Sequence, residues 1–214
     1  MDKLIQSVVI GSGGHARSVI SLIKAQGHFQ VAGVLSVESV VAAGEKICGV
    51  DLLGDLELLS DLSANGVVNA HLALGSGYER RKYSKLLWSQ GFIIPKLIHP
   101  SALVDPTAVL EEGVQIFANT YIGPLVEIRE GALINTGTVI EHETKIGAFT
   151  TVSPSVTVAG RSSIGSDVFV GVGANVADKL EIGDGAMIGA GSTVLSNIQG
   201  GVLAFGTPAL PKGE

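Results

Sequence analysis

His142 stands between two carboxylates, in Ile140-Glu141-His142-Glu143. An imidazole beside a carboxylate suits proton removal near neutral pH, because the acid orients the ring and stabilises its charged form. The same pair also occurs as a surface histidine making a structural hydrogen bond, and spacing alone does not choose. A second candidate lies near the N-terminus, in Gly11-Ser12-Gly13-Gly14-His15-Ala16. Such glycines let a phosphate approach the backbone, and a helix that follows them offers unpaired N–H donors. A tight strand-to-helix turn has the same composition. His15 is correspondingly either a ligand contact or a residue capping its own helix.

The other chemistry-bearing residues read more plainly. His71 sits in an apolar strand pattern and is expected to be a satisfied core histidine. His28, after Gly27, is expected to be solvated, and His99, before Pro100, to be a structural turn residue. Arg80, Arg81 and Lys82 open a helix after Gly75-Ser76-Gly77 and read as a solvated face by default, with phosphate contact as the alternative. A single cysteine, Cys48, excludes an internal disulfide framework and a cysteine-based zinc site.

The elements that position His142 follow a period of six. From Ile98, every sixth residue through Val194 is Ile, Val or Leu, 17 positions without a break. Two places before each, from Ala102 onward, stands Ala, Thr, Ser or Val, with Leu180 the one larger residue. Neither a 3.6-residue helix nor ordinary hairpins have this period. It fits a solenoid in which each hexad is one short strand and a turn, and three hexads close a triangular coil. The repeating aliphatic residue points inward, the small residue two places earlier fits the corner, and glycine after the repeat supplies positive φ in the turns. His142, two places past Ile140, then points out of the packed prism. One coil further lies Gly160, about 5 Å away on the same face. Its backbone N–H would be open to a developing oxyanion.

The first 95 or so residues alternate strand and helix. Strands are expected at 7–10, 30–35 and 67–74, and helices after Gly13, near Leu56–Leu62 behind Asp55, and at Tyr78–Gln90. This alternation implies a parallel sheet with its ligand site at the carboxyl edge. A dinucleotide site calls for an acid at the end of the second strand, where Ser36 stands. One phosphate-bearing ligand fits this short unit better than NAD.

Composition agrees with a soluble, cytoplasmic protein. The 214 residues carry Lys+Arg 14 against Asp+Glu 20, a net charge of −6, which argues against a nucleic-acid binder. Apolar residues are 46% and charged residues 16%, yet no apolar run approaches a bilayer span and no leader-like N-terminus is present.

Four segments occurring in one order carry a resemblance. They are Gly11-Ser12-Gly13-Gly14-His15-Ala16, Ile98-His99-Pro100-Ser101-Ala102, Ile134-Asn135-Thr136 with Ile140-Glu141-His142-Glu143, and Gly206-Thr207-Pro208-Ala209. Together they resemble the hexapeptide-repeat acetyltransferases that modify nucleotide-linked amino sugars, and their sialic-acid O-acetyltransferase relatives. The resemblance implies a small Rossmann-like domain (1–95), a left-handed parallel β-helix (96–199) and a C-terminal tail near the coenzyme A site (200–214). It further implies a homotrimer with active sites between subunits and acetyl transfer from acetyl-CoA, without a metal, to the C4 amine of a nucleotide-linked amino-deoxy sugar. His142 would be the base, Glu143 its partner and Gly160 the donor to the thioester oxygen, with Asn135 near the acceptor amine. Gly11, Gly13, Gly14 and His15 would hold the nucleotide, and Gly173, Gly191 and Pro208 the acetyl-CoA.

Three positions depart from the family pattern. Thr151 stands where relatives often carry a second histidine, and Ser36 where an acid usually contacts the nucleoside. The tail reads Ala209-Leu210-Pro211-Lys212 where relatives commonly carry a basic residue directly after the alanine; Lys212 is expected on a frayed end, with contact to a coenzyme A phosphate as the alternative. O-acetylation of a sialic-acid-type sugar is the alternative activity. A metal hydratase would need three histidine ligands, which this half lacks, and a nucleotide-binding scaffold would not bind coenzyme A.

Overall fold

The computed structural model describes residues 4–38 and 44–212, and the chain divides into two compact units, 1–97 and 98–214.

In the first unit, strand β1 (Ile5–Ile10) leads into helix α1 (Gly14–Gln26), which buries Ala16, Val19, Ile20, Leu22 and Ile23 on one stripe. Gly27 ends the helix in the left-handed region (φ 75°), its N–H bonding to Ile23 O. Strand β2 (Phe29–Leu35) follows. A hairpin that the sequence patterns did not predict, β3 (Lys46–Ile47) and β4 (Val50–Gly54), turns on Cys48 and Gly49, both at positive φ as a type I′ turn requires. A 3-10 turn capped by Asp55 leads to α2 (Leu59–Ala64), β5 (Asn69–Leu72) and α3 (Gly77–Ser89). The sheet order is β3-β4-β2-β1-β5, parallel except for β3. Val8, Ile10, Leu35, Ala70 and Leu72 pack in one core with Leu59, Tyr83 and Leu87 from α2 and α3.

Two expectations fail in this unit. Arg80 is not solvated; it is 1% exposed and heads the buried stripe Arg80, Tyr83, Ser84 and Leu87 of α3. Charge type alone suggested water, but the spacing of that stripe carried the opposite signal. His71 is buried but not satisfied, since neither ring nitrogen has a hydrogen-bond partner among the described residues. Its ring meets Phe29 edge-on at 4.7 Å. Burial lowers its pKa to about 4.

The second unit is the left-handed parallel β-helix. Seventeen two-residue strands, β6 (Leu97–Ile98) to β22 (Thr193–Val194), each end on one of the six-residue repeats. Strands pair in parallel with a shift of one coil, as Tyr121 does with Val139 and Ile122 with Ile140, and form the three walls of a prism. Repeat residues from Ile116 to Val194 are no more than 2% exposed, each burial contributing about 1.5–3 kcal/mol. Ile98, Val104 and Leu110, in the first coil, are partly buried. Corner hydroxyls are satisfied across the core: Thr138 donates to Ser153 O (3.1 Å), Thr150 to Gly165 O (2.6 Å) and Ser162 to Ala177 O (3.0 Å).

The glycines immediately after the repeats serve a different purpose from the one predicted. Gly123, Gly147, Gly165, Gly183 and Gly189 are not at positive φ. A Cβ on Gly123 would lie 2.9 Å from His142 N, and one on Gly147 would collide with the backbone of Gly165, so close coil stacking excludes a side chain. Positive φ falls two residues later, where Glu143, Phe149, Ser155 and Arg161 adopt it alongside Gly137 and Gly173. The tail is ordered, not frayed, as far as Lys212. Strand β23 (Leu203–Phe205) pairs in parallel with β21 (Met187–Ile188), β24 (Leu210–Pro211) folds back on it, and Lys212 N–H bonds to Leu203 O. Among the described residues no helix is long and apolar enough to cross a membrane.

Candidate functional site

Strand β13 (Val139–Ile140) ends at a corner of the prism, and the turn there carries His142 and Glu143 outward. The His142 Nδ1 atom lies 3.0 Å from Glu143 Oε2. An ionised carboxylate only accepts, so in the neutral ring this contact puts the proton on Nδ1 and leaves Nε2 its lone pair. One coil on, Gly160 is buried beneath the ring, where a Cβ would sit 2.6 Å from His142 Nε2 and 2.7 Å from Cε1. Room for the imidazole is therefore the first requirement for glycine here. The Gly160 carbonyl accepts from Lys179 N–H, while its own N–H makes no hydrogen bond among the described residues.

The sequence reading missed Arg161. Its N–H donates to His142 O (2.9 Å), and its Nε lies 3.8 Å from the same Glu143 oxygen that meets the imidazole. The signal was available, since Arg161 is one coil beyond Glu143.

Asn135, Gly173, Gly191 and Pro208 lie along a different corner, following the sheet that contains β12 (Leu133–Ile134), β18 (Phe169–Val170), β21 and β23. Gly173 and Gly191 are one coil apart, both at φ 67°, with no atom within 4 Å of an added Cβ. Asn135 Oδ1 accepts from Thr136 N–H (2.8 Å). Pro208 is exposed and follows a cis peptide bond. Within one chain the fold thus brings His142, Glu143 and Gly160 together and sets the other four on a neighbouring edge. Thr151 opens β15 (Thr151–Val152), buried in a wall of the prism and not in a turn. No group of three or more His, Cys, Asp or Glu side chains placed to hold a metal occurs among the described residues.

The first unit has its own candidate site at the carboxyl edge of its sheet. Hydrogen bonds Gly11 N to Leu35 O (2.8 Å), Ser36 N to Gly54 O (2.8 Å) and Ala73 N to Ile10 O (2.7 Å) join the strand ends. Gly11 is fixed by its surroundings: φ is 109°, and a Cβ would lie 2.8 Å from Ala73 O. Gly13 and Gly14 are different. Neither has positive φ, and nothing lies within 4 Å of a Cβ built on either, so backbone and packing do not require glycine. Gly13 caps α1 without a side-chain bond, and no acid occupies the first turn. The space beside Gly13 and Gly14 is accordingly open at the positive end of the helix. His15 is half-buried in that turn. Ser36 is turned inward, its Oγ 3.2 Å from Ser12 Oγ and accepting from Glu38 N–H (3.0 Å).

Residues 6–87 match the PglD N-terminal domain family, and residues 161–196 match the bacterial transferase hexapeptide repeats. No curated protein matches the chain. Among solved structures, a histidine-to-asparagine variant of perosamine N-acetyltransferase from Caulobacter crescentus, in complex with CoA and GDP-perosamine, is 35% identical over 99% of each chain, with a TM-score of 0.93. PerB from the same organism, with the same two ligands, is 36% identical over 99% of each chain, with a TM-score of 0.91. The acetyltransferase domain of PglB from Neisseria gonorrhoeae, in complex with acetyl coenzyme A, is 28% identical over 98% of this chain and 100% of that one, with a TM-score of 0.89.

Proposed function

Because the chain belongs to the hexapeptide-repeat acetyltransferases that N-acetylate nucleotide-linked amino sugars with acetyl-CoA, we propose that His142 is its general base and the sugar C4 amine its acceptor. The observation that carries the proposal is the His142 ring itself: Nδ1 is held by Glu143, and Nε2 lies against Gly160.

The amine nitrogen attacks the thioester carbonyl while Nε2 removes its proton. The tetrahedral oxyanion accepts a hydrogen bond from Gly160 N–H, which has no competing partner among the described residues. Collapse forms the amide and expels the coenzyme A thiolate, which takes the proton back from the imidazolium. Glu143 keeps the ring in the productive tautomer and stabilises its charged form.

Gly13 and Gly14 leave the space, and α1 the donors, for the diphosphate of the nucleotide sugar, beside His15 and Gly11. Asn135 serves the acceptor, and Gly173, Gly191 and Pro208 serve acetyl-CoA. Those last residues and His142 occupy different corners of one prism, which supports a homotrimer in which one copy supplies the base and its neighbour the coenzyme edge.

Coenzyme A release from acetyl-CoA, followed with GDP-perosamine, the sugar in the 35% identical relative's complex, and with UDP- and dTDP-linked amino sugars, tests the reading. Turnover with at least one amine acceptor is expected. Turnover only with a hydroxyl acceptor would replace N-acetylation by O-acetylation.

A further inference from the structure

We propose that Arg80 is a positioning residue for the nucleotide subsite, holding the β5–α3 loop as its second wall. This rests on the reading that Gly11–His15 receives the nucleotide diphosphate.

The sheet order places β1 between β2, reached through α1, and β5, reached from the other direction. In an open parallel sheet, ligands bind outside the carboxyl ends of strands where the order reverses. Here that crevice lies between the segment after β1 and the segment after β5, residues 73–77. The two are in direct contact, since a Cβ on Gly11 would stand 2.8 Å from Ala73 O and 2.9 Å from Leu74 Cδ2. Ala73 N–H also donates to Ile10 O (2.7 Å), which ties this segment to the chain immediately before Gly11.

Arg80 fixes that segment from within. Its Nη1 donates to Leu74 O (3.2 Å) and Gly75 O (2.9 Å). The side chain occupies the first position of an apolar helix stripe and is 1% exposed. A permanently charged group in such a place is costly unless strongly hydrogen-bonded. Both bonds leave the one Nη1 atom, so lysine, with three donors on a single nitrogen, is the conservative variant, and methionine removes the donors altogether. A leucine in this place would fill the core without holding the loop.

The experiment compares full-length wild type with Arg80→Lys, Arg80→Met, Gly14→Leu and Leu87→Ala. Leu87 is a buried neighbour on the same helix, so its truncation destabilises the unit without touching the loop. GDP, UDP and dTDP are titrated calorimetrically, and steady-state constants are measured for the nucleotide sugar and acetyl-CoA. The expected result is nucleotide affinity about tenfold weaker, and KM for the sugar about tenfold higher, in Arg80→Met, with Arg80→Lys closer to wild type. Both kcat and KM for acetyl-CoA should stay within about twofold, and Leu87→Ala should bind nucleotide normally. Normal nucleotide binding by Arg80→Met, with binding lost in Gly14→Leu, overturns the Arg80 role alone. If wild type binds none of the nucleotides, or Gly14→Leu binds them normally, the subsite reading itself falls and the inference with it. Loss of folded protein in both Arg80 variants, or equal damage in Leu87→Ala, assigns Arg80 to the core only and also overturns the inference.

Discussion

The His142 imidazole rests on Gly160, one coil away, so closely that a methyl group there would lie 2.6 Å from Nε2. Gly160 is not at positive φ, so alanine would strain no backbone. It would only push the ring. Gly160→Ala should therefore lower kcat by about 10- to 100-fold while leaving the melting temperature nearly unchanged, because a displaced base loses its near-attack geometry. The N–H is retained in this variant. In a His142→Ala background, the same substitution should have almost no further effect on the residual rate, and a double-mutant cycle measures this.

Glu143 holds the ring from the other side. Glu143→Gln keeps the side-chain length but removes the anion that fixes the Nδ1–H tautomer. We expect kcat to fall by about 10- to 100-fold with KM for acetyl-CoA unchanged, as steady-state kinetics would reveal. An equal rise in both KM values would assign Glu143 to binding.

His71 makes the first unit sensitive to acid. Burial lowers its pKa to about 4 in the folded chain, against about 6.5 for an ordinary histidine. Between those values the unfolded chain binds a proton that the folded chain does not, so stability is fully present above pH 6.5 and falls as pH drops toward 4. The loss amounts to something on the order of 3 kcal/mol. Denaturant titrations of wild type and His71→Phe at pH 7.5 and 4.5 check this. The variant should lose much less stability over that interval.

Thr150 donates to Gly165 O and accepts from Val168 N–H. Thr150→Val keeps the shape but leaves both backbone groups unpaired at a buried corner, at a cost of about 1–3 kcal/mol. A lower unfolding midpoint with unchanged nucleotide affinity is the expected result, read by denaturation and calorimetry.

Most of the solenoid was legible in the sequence because each hexad repeats one physical problem: an inward aliphatic residue, a small corner residue and a turn. The same arithmetic placed Gly160 over His142. It could also have shown that Gly173 and Gly191 fall on another corner, and that Arg161 stacks on Glu143. The role of the glycines after each repeat was not visible, because coil-to-coil approach depends on stacking and not on local φ. In the first unit, Arg80 and His71 were misjudged from residue type, whereas the spacing of Arg80, Tyr83, Ser84 and Leu87 already marked a buried stripe. The β3–β4 hairpin escaped notice because Cys48-Gly49 is an uncommon way to write its turn.

The most direct measurement is coenzyme A release by His142→Ala, with an accepted nucleotide-linked amino sugar, in protein whose melting temperature and nucleotide binding match wild type. Loss of about 10²–10⁴ in kcat is the result expected of a general base. Turnover within a few-fold of wild type would contradict it.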